Sequence, residues 1–314
     1  MDQPVVSVIM PVFNTGAYLR EAVQSVLLQR PLETPLPTWE LIVIDDHSSC
    51  PATLAILSEI VDYPHVRVLR NRRGKGAAGA RNSGIEAARG AWIAFLDADD
   101  IWFPQALALR WQVQAEHPDA DWIGGRIRLL RPAGAPAGFA PLTQLLAQAG
   151  GAAVAPARRM ARPVAALAEE CLVIPTTALI RRTLIVVKGM FDGRLQRAED
   201  YHLWLRCALD TDLWMLPTEI AYYRIHGASL THGDAPRFLH EDAMLDMLLR
   251  APGWRAHRAL LIGRMDLVLQ DHCYFYRGRQ RYGSAVRCAL QWLARRPFKV
   301  AAWKELLASG MRIG

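Results

Sequence analysis

Short apolar runs alternate with amphipathic stretches over the N-terminal third of the chain, and polar or glycine-rich residues mark each junction. Residues 5–10 form a β-rich apolar run, the pattern of a strand covered on both faces. Pro11-Val12-Phe13-Asn14-Thr15-Gly16 interrupts it, and residues 18–28 resume with Tyr18, Leu19, Ala22, Val23, Val26 and Leu27 at helical spacing. A proline-rich loop at 31–37 precedes a second strand at 40–44, which ends in Asp45-Asp46-His47-Ser48-Ser49. A helix at 53–61, a strand at 66–69, a loop at 71–76, a helix at 77–89 and a strand at 91–96 follow. This alternation predicts an α/β fold with a mostly parallel sheet covered by helices. Ligands bind such sheets beyond the carboxyl ends of the strands. The polar clusters at Asn14, Asp45-Asp46 and Asp97-Asp99 stand at such ends and are expected to converge on one edge.

After a helix at 104–116 and a strand at 122–130, the stretch 131–162 is rich in Ala, Pro and Gly and reads as an insertion with a helix at 142–149. Order returns at 172–180, followed by a turn at Gly189-Met190-Phe191-Asp192, a helix at 199–209 and a strand at 220–225 ending in His226. From Arg237 the pattern is amphipathic helices at 238–249, 254–276, 282–293 and 300–307, so a boundary is expected near 231–236.

A hydrophobic content of 52% with 21% charged residues excludes a disordered chain. The net charge of +7 is uneven. Beyond Asp271 stand Arg277, Arg279, Arg281, Arg287, Arg295, Arg296, Lys299, Lys304 and Arg312, opposed only by Glu305. Such an end suits an anionic membrane, a nucleic acid, an acidic partner or simply a solvated helix face. Five scattered cysteines without a CxxC pair fit neither a zinc site nor a disulfide framework, and point to a reducing cytosol. The apolar run at the N-terminus has no basic region ahead of it and reads as a strand, not a signal peptide. No stretch is long and apolar enough for a transmembrane helix, so a soluble or peripheral protein is expected.

The densest chemistry lies in Phe95-Leu96-Asp97-Ala98-Asp99-Asp100-Ile101-Trp102, an apolar strand that stops in three carboxylates. Crowded carboxylates repel one another and are costly to bury, so the segment calls for a cation, with Mg²⁺ or Mn²⁺ the hard ions suited to oxygen donors. The alternative is a solvated turn in which Asp100 caps the helix from Pro104. Gly74-Lys75-Gly76-Ala77-Ala78-Gly79 matches the dinucleotide fingerprint and offers an NAD-dependent oxidoreductase as a second reading. However, two strand–helix units precede it, and it leaves Asp45-Asp46 and Glu199-Asp200 without work; its glycines serve better to let a loop pass close to a phosphate or another backbone.

Four motifs in order, Val8-Ile9-Met10-Pro11-Val12-Phe13-Asn14, Leu41-Ile42-Val43-Ile44-Asp45-Asp46-His47-Ser48, Gly79-Ala80-Arg81-Asn82-Ser83-Gly84 and Phe95-Leu96-Asp97-Ala98-Asp99-Asp100, resemble those of the family 2 glycosyltransferases. Gly189-Met190-Phe191-Asp192 and Ala198-Glu199-Asp200-Tyr201-His202-Leu203-Trp204-Leu205-Arg206 are similar to the family's acceptor-side signature, and Tyr223-Arg224-Ile225-His226 with Ser229 to its closing segment. The resemblance implies a GT-A fold at 1–233, with a nucleotide-sugar half at 1–103, an acceptor half at 104–233 carrying the 131–162 insertion, and a basic helical region at 234–314.

It also implies roles. Pro11 to Phe13 would hold the base, with the Phe13 ring stacked on it, and Asp46 would accept a hydrogen bond from the base, its other reading being an Asx turn. Arg81 would sit near the diphosphate, Asp97 at the ribose and Asp99 on the metal, with His226 a further ligand of metal or diphosphate. Asp200 would be the general base, Glu199 beside it pointing elsewhere. A single base without a nucleophile implies inversion of the anomeric centre. The implied substrates are a nucleotide sugar, most simply UDP-linked, and a glycan or lipid-linked hydroxyl, as in polysaccharide biosynthesis. The implied place is the cytoplasm, with peripheral contact to an anionic membrane and no nucleic-acid partner. A non-catalytic sugar-nucleotide binder is the third reading, which the presence of Asp97, Asp99 and Asp200 opposes.

Overall fold

A computed structural model describes residues 3–131, 140–149, 155–226 and 235–312. The first elements are β1 (Val6–Val12), α1 (Tyr18–Leu27), β2 (Trp39–Asp45), α2 (Pro51–Ile60), β3 (Val66–Arg70), α3 (Ala77–Ala87) and β4 (Trp92–Phe95). Their apolar runs are long because both faces are covered: Val8, Ile9, Met10, Leu41, Ile42, Val43, Ile93, Ala94 and Phe95 are all fully buried. The β1 strand pairs in parallel with β2 and β4, and β2 with β3.

The second half departs from a mostly parallel sheet. It contains β5 (Ile101–Trp102), α4 (Ala106–Glu116), β6 (Trp122–Leu130), α5 (Leu142–Gln148), β7 (Arg158–Met160), α6 (Val164–Glu169), a 3₁₀ turn at Pro175–Thr177, β8 (Leu179–Arg181), α7 (Arg182–Val187), α8 (Glu199–Ala208) and β9 (Leu213–Arg224). The sheet runs β3-β2-β1-β4-β8-β6-β9-β5, with β7 also on β9. Here β8 is antiparallel to β4 and β6, and β9 is antiparallel to β5 and β7 but parallel to β6. Strand–helix repetition ends at β4, so no crossover helix enforces a parallel direction. The expected strand at 220–225 starts earlier, at Leu213, because Leu213, Trp214 and Leu216 are buried against β6 and β7. Part of the 131–162 insertion, and Ser229 of the closing motif, lie outside the described residues.

By compactness the chain divides into Met1–Leu167 with Cys171–His226, and Ala168–Glu170 with Gly227–Gly314. The second unit holds α9 (Glu241–Arg250), a 3₁₀ turn at Pro252–His257, α10 (Arg258–Gly278), α11 (Tyr282–Arg295) and α12 (Val300–Gly310). The helix expected from 254 begins at Arg258, since Pro252 and Gly253 favour a tighter turn. Among its ties, the buried Asp266 of α10 accepts from Trp292 Nε1 at 2.6 Å and Lys299 Nζ at 2.8 Å.

The Gly74–Gly79 segment shows what its glycines do. A Cβ on Gly79 would lie 1.8 Å from the Gly74 carbonyl oxygen, so the loop rests directly on the first turn of α3. Gly76, at φ +119°, holds a backbone conformation that L side chains avoid. The glycines let backbone meet backbone. Gly79→Ala should therefore destabilise the protein by about 1–3 kcal/mol, the usual cost of overpacking, seen as a lower midpoint in chemical denaturation.

Candidate active site

Because β1, β2 and β4 are parallel neighbours, their polar ends meet on one rim. Val12 pairs with Asp45, the Asp46 N–H donates to the Val12 carbonyl at 2.8 Å, and the Leu96 N–H to that of Ile9 at 3.1 Å. Asn14, left-handed at φ +51°, accepts from the N–H groups of Ser49 and Cys50, both at 2.8 Å, and so links the loops after β1 and β2. Asp45 makes the hydrogen bond within its loop, accepting from the Ser48 N–H three residues on at 2.9 Å. Asp46 is buried instead, accepting from Asn71 Nδ2 at 2.6 Å and from the Gly76 N–H at 2.8 Å. It thereby fixes the loop that carries Lys75, whose ammonium lies 4.2 Å from the Phe13 ring centroid. Phe13 is 47% exposed and next to the half-buried Pro11, so its ring is open to a planar ligand.

The three carboxylates part company. Asp97 accepts from Arg81 Nη2 at 2.7 Å, and Arg81 Nη1 reaches Glu199 at 2.6 Å. Asp99 Oδ2 lies 2.9 Å from His226 Nε2. Burial, with Asp97 beside it, pushes the Asp99 carboxyl above the usual range against the pull of His226. Asp100 is fully enclosed, accepting from Thr176 Oγ1 at 2.6 Å and from the Arg224 N–H at 3.0 Å. It caps no helix, since α4 begins after Gln105 without a side-chain cap. Arg224 also donates to the Asp99 carbonyl at 2.8 Å and to Glu21 at 2.5 Å, and its guanidinium lies 4.4 Å from the Tyr18 ring. The end of β9 is thus bolted to the carboxylate segment, which brings His226 to Asp99.

Opposite stands the start of α8. Ala198, the residue before it, is left-handed at φ +59°, a conformation costing an alanine about 1 kcal/mol. Glu199 takes Arg81. Asp200 accepts from the Tyr201 N–H at 2.7 Å and has no ion pair among the described residues. Burial, then the Glu199 charge, push its carboxyl up to about 7 against the opposing pull of Arg81. The turn before α8 is pinned by a reciprocal pair, Asn82 Nδ2 to the Phe191 carbonyl at 2.8 Å and the Phe191 N–H to Asn82 Oδ1 at 3.0 Å. Arg206 holds the same turn through the carbonyls of Lys188 and Met190.

A rim that carries a half-exposed ring and carboxylates, tied through Arg81 to the helix whose Asp200 is raised toward neutrality, agrees with the comparisons. The family model described as glycosyl transferase family 2 matches residues 7–129. WfgD of Escherichia coli, a UDP-Glc:alpha-D-GlcNAc-diphosphoundecaprenol beta-1,3-glucosyltransferase, is 30% identical over 283 residues, covering 90% of this chain and 100% of the relative. The chain is a family 2 glycosyltransferase. Its fold is similar to that of S. aureus TarS in complex with UDP-GlcNAc (TM-score 0.62, 18% identity, 92% of this chain and 80% of the other). It is also similar to that of the mannosyltransferase PcManGT from Pyrobaculum calidifontis in complex with GDP-Man and Mn²⁺ (TM-score 0.58, 16% identity, 99% and 87%). The GT-A fold and use of a nucleotide-sugar donor follow. The oxidoreductase reading of Gly74–Gly79 and the non-catalytic binder fall with that assignment.

Arg81, expected near the diphosphate, is buried in the glycosyltransferase between Asp97 and Glu199. Desolvation alone would loosen its proton, but Asp97, Glu199 and Asp200 together hold it more tightly than usual. Asn71 and Thr176 escaped the sequence reading, because a neutral amide or a hydroxyl that serves one buried carboxylate leaves no periodic or motif signal; Arg224 was named there only as part of the closing segment. Arg81→Met should cost about 3–5 kcal/mol, the usual effect of breaking a buried pair, measured by chemical denaturation. Adding Glu199→Gln should restore part of that loss.

Proposed function

We propose that this glycosyltransferase inverts the anomeric centre of a UDP-sugar in a reaction dependent on Mn²⁺ or Mg²⁺. Its acceptor hydroxyl belongs to a glycan or lipid-linked sugar, met from the cytoplasm at a membrane surface. The observation that carries the reading is the inequality between neighbours on α8: Glu199 is neutralised by Arg81, and Asp200 is left as a base near neutral pH.

Phe13 stacks on the base, Pro11 shapes its edge, and Asp46, which retains free lone pairs, accepts from a uracil N–H. Asp97, steadied by Arg81, accepts from the ribose. A carboxylate and an imidazole 2.9 Å apart fit a hard divalent ion that completes its shell with phosphate and water, so Asp99 and His226 would hold it. Bound there, the ion supplies charge neutralisation to the departing diphosphate. The acceptor oxygen attacks the anomeric carbon from the face opposite the leaving group, and the C–O electron pair leaves with the diphosphate. Asp200 takes the hydroxyl proton. A UDP-sugar and a lipid-linked acceptor are supported by the name of the Escherichia coli relative, and a divalent ion by the Mn²⁺ of the mannosyltransferase neighbour.

A thermal-shift panel of nucleotide sugars should show stabilisation by UDP with Mn²⁺, and Asp99→Ala should lose the Mn²⁺-dependent part; an unchanged Asp99→Ala response would sink the metal assignment. Asp200→Asn should keep donor binding and lose transfer by roughly 10²–10⁴-fold. Because Asp200 must be ionised to accept the proton, the rate of the intact enzyme should fall as pH drops through about 7. Removing the Glu199 charge lowers that value, so Glu199→Gln should move the acid limb of the pH–rate profile to lower pH.

A further inference from the structure

The last helix presents an apolar stripe to solvent that its own unit does not use. On α12, Val300, Trp303 and Leu307 are 66%, 49% and 59% exposed; Met311 just after the helix and Phe298 just before it are 80% and 94% exposed. At 100° per residue, carried one residue on to the helically disposed Met311, these four side chains from Val300 to Met311 span roughly 80° of arc, a narrow continuous seam about 16 Å long. Ala302, Glu305 and Ser309 cover the opposite, buried face. Scattered exposed hydrophobics need no explanation; a seam of large ones on a single face does.

The charges around the seam are of one sign. Lys304 borders it, and Arg312 and Arg296 stand exposed at its two ends. Glu305, the only acid beyond Asp271, is turned inward and neutralised by Arg277 at 3.3 Å. The exposed surface of α12 therefore carries no negative charge. A second copy of the chain would bring the same cations face to face, which disfavours self-association. No helix among the described residues is long and apolar enough to cross a membrane. An in-plane helix with Trp, Leu and Met on one side and Lys and Arg at its margins has the composition of an interfacial element.

We propose that α12, with Phe298, docks this enzyme on an anionic bilayer, the seam entering the headgroup boundary and Lys304, Arg296 and Arg312 lying against lipid phosphates. The choice of a bilayer over another anionic surface rests on the lipid-linked acceptor proposed above. The full-length protein is tested by co-sedimentation with vesicles of phosphatidylcholine mixed with phosphatidylglycerol and with vesicles of phosphatidylcholine alone, while UDP-sugar hydrolysis is followed in the same samples. The wild type should bind the anionic vesicles and release in high salt. Trp303→Glu/Leu307→Glu should bind at least about tenfold more weakly, with hydrolysis and melting temperature unchanged, as should Lys304→Glu/Arg312→Glu. In brominated lipid the wild-type fluorescence should be quenched, and Trp303→Phe should lose that quenching. Equal binding by the wild type and Trp303→Glu/Leu307→Glu overturns the proposal. So does a lipid-free dimer that the same substitutions dissolve. Absent binding with hydrolysis intact overturns the docking surface alone, whereas Trp303-dependent binding without any turnover of nucleotide sugars overturns the enzymatic reading and leaves the surface standing.

Discussion

Arg81 lies buried between two carboxylates that reach it from different parts of the chain, Asp97 from the end of β4 and Glu199 from the start of α8. A guanidinium stripped of water is expensive, and it is stable here because two ionised partners and the face of Phe191, at 5.4 Å, surround it. The bridge fixes the spacing between the carboxylate segment after β4 and the start of α8. It also spends Glu199, which leaves Asp200 as the carboxyl whose proton affinity is tuned by burial. A lysine would keep the charge but could not present two parallel-plane donors to two acids at once.

The N-terminal half was legible because its elements obey local rules. Fully buried strands read as unbroken apolar runs, and amphipathic helices read at their own period. The second half was less so. Short strands such as β5, β7 and β8 are defined by partners far along the chain, and three residues of Arg-Arg-Met carry no period at all. Direction in the sheet was misjudged for the same reason: a parallel crossover announces itself by its helix, but an antiparallel return announces nothing.

The candidate site divides along a similar line. Residue types that cluster at strand ends, Asp46, Asp97 and Asp99, could be singled out without coordinates. What each side chain is bonded to could not. Asp45, not Asp46, makes the hydrogen bond within its loop, Asp100 holds β9 where a helix cap was the alternative, and Glu199, not Asp200, takes the arginine. In each case the deciding partner, Ser48, Arg224 or Arg81, is a matter of three-dimensional register.

The Asp100 junction has a consequence for the order in which the enzyme assembles. Its hydrogen bonds to Thr176 and to the Arg224 backbone span 76 and 124 positions of sequence. Contacts closing loops of that length are entropically late, while the β1–β2 and β2–β3 pairings close shorter loops and form sooner. During synthesis the strands β1 to β4 can therefore pair well before the chain reaches Arg224. The pairing of Asp99 with His226 must wait, and the carboxylate rim is among the last parts of the unit to form.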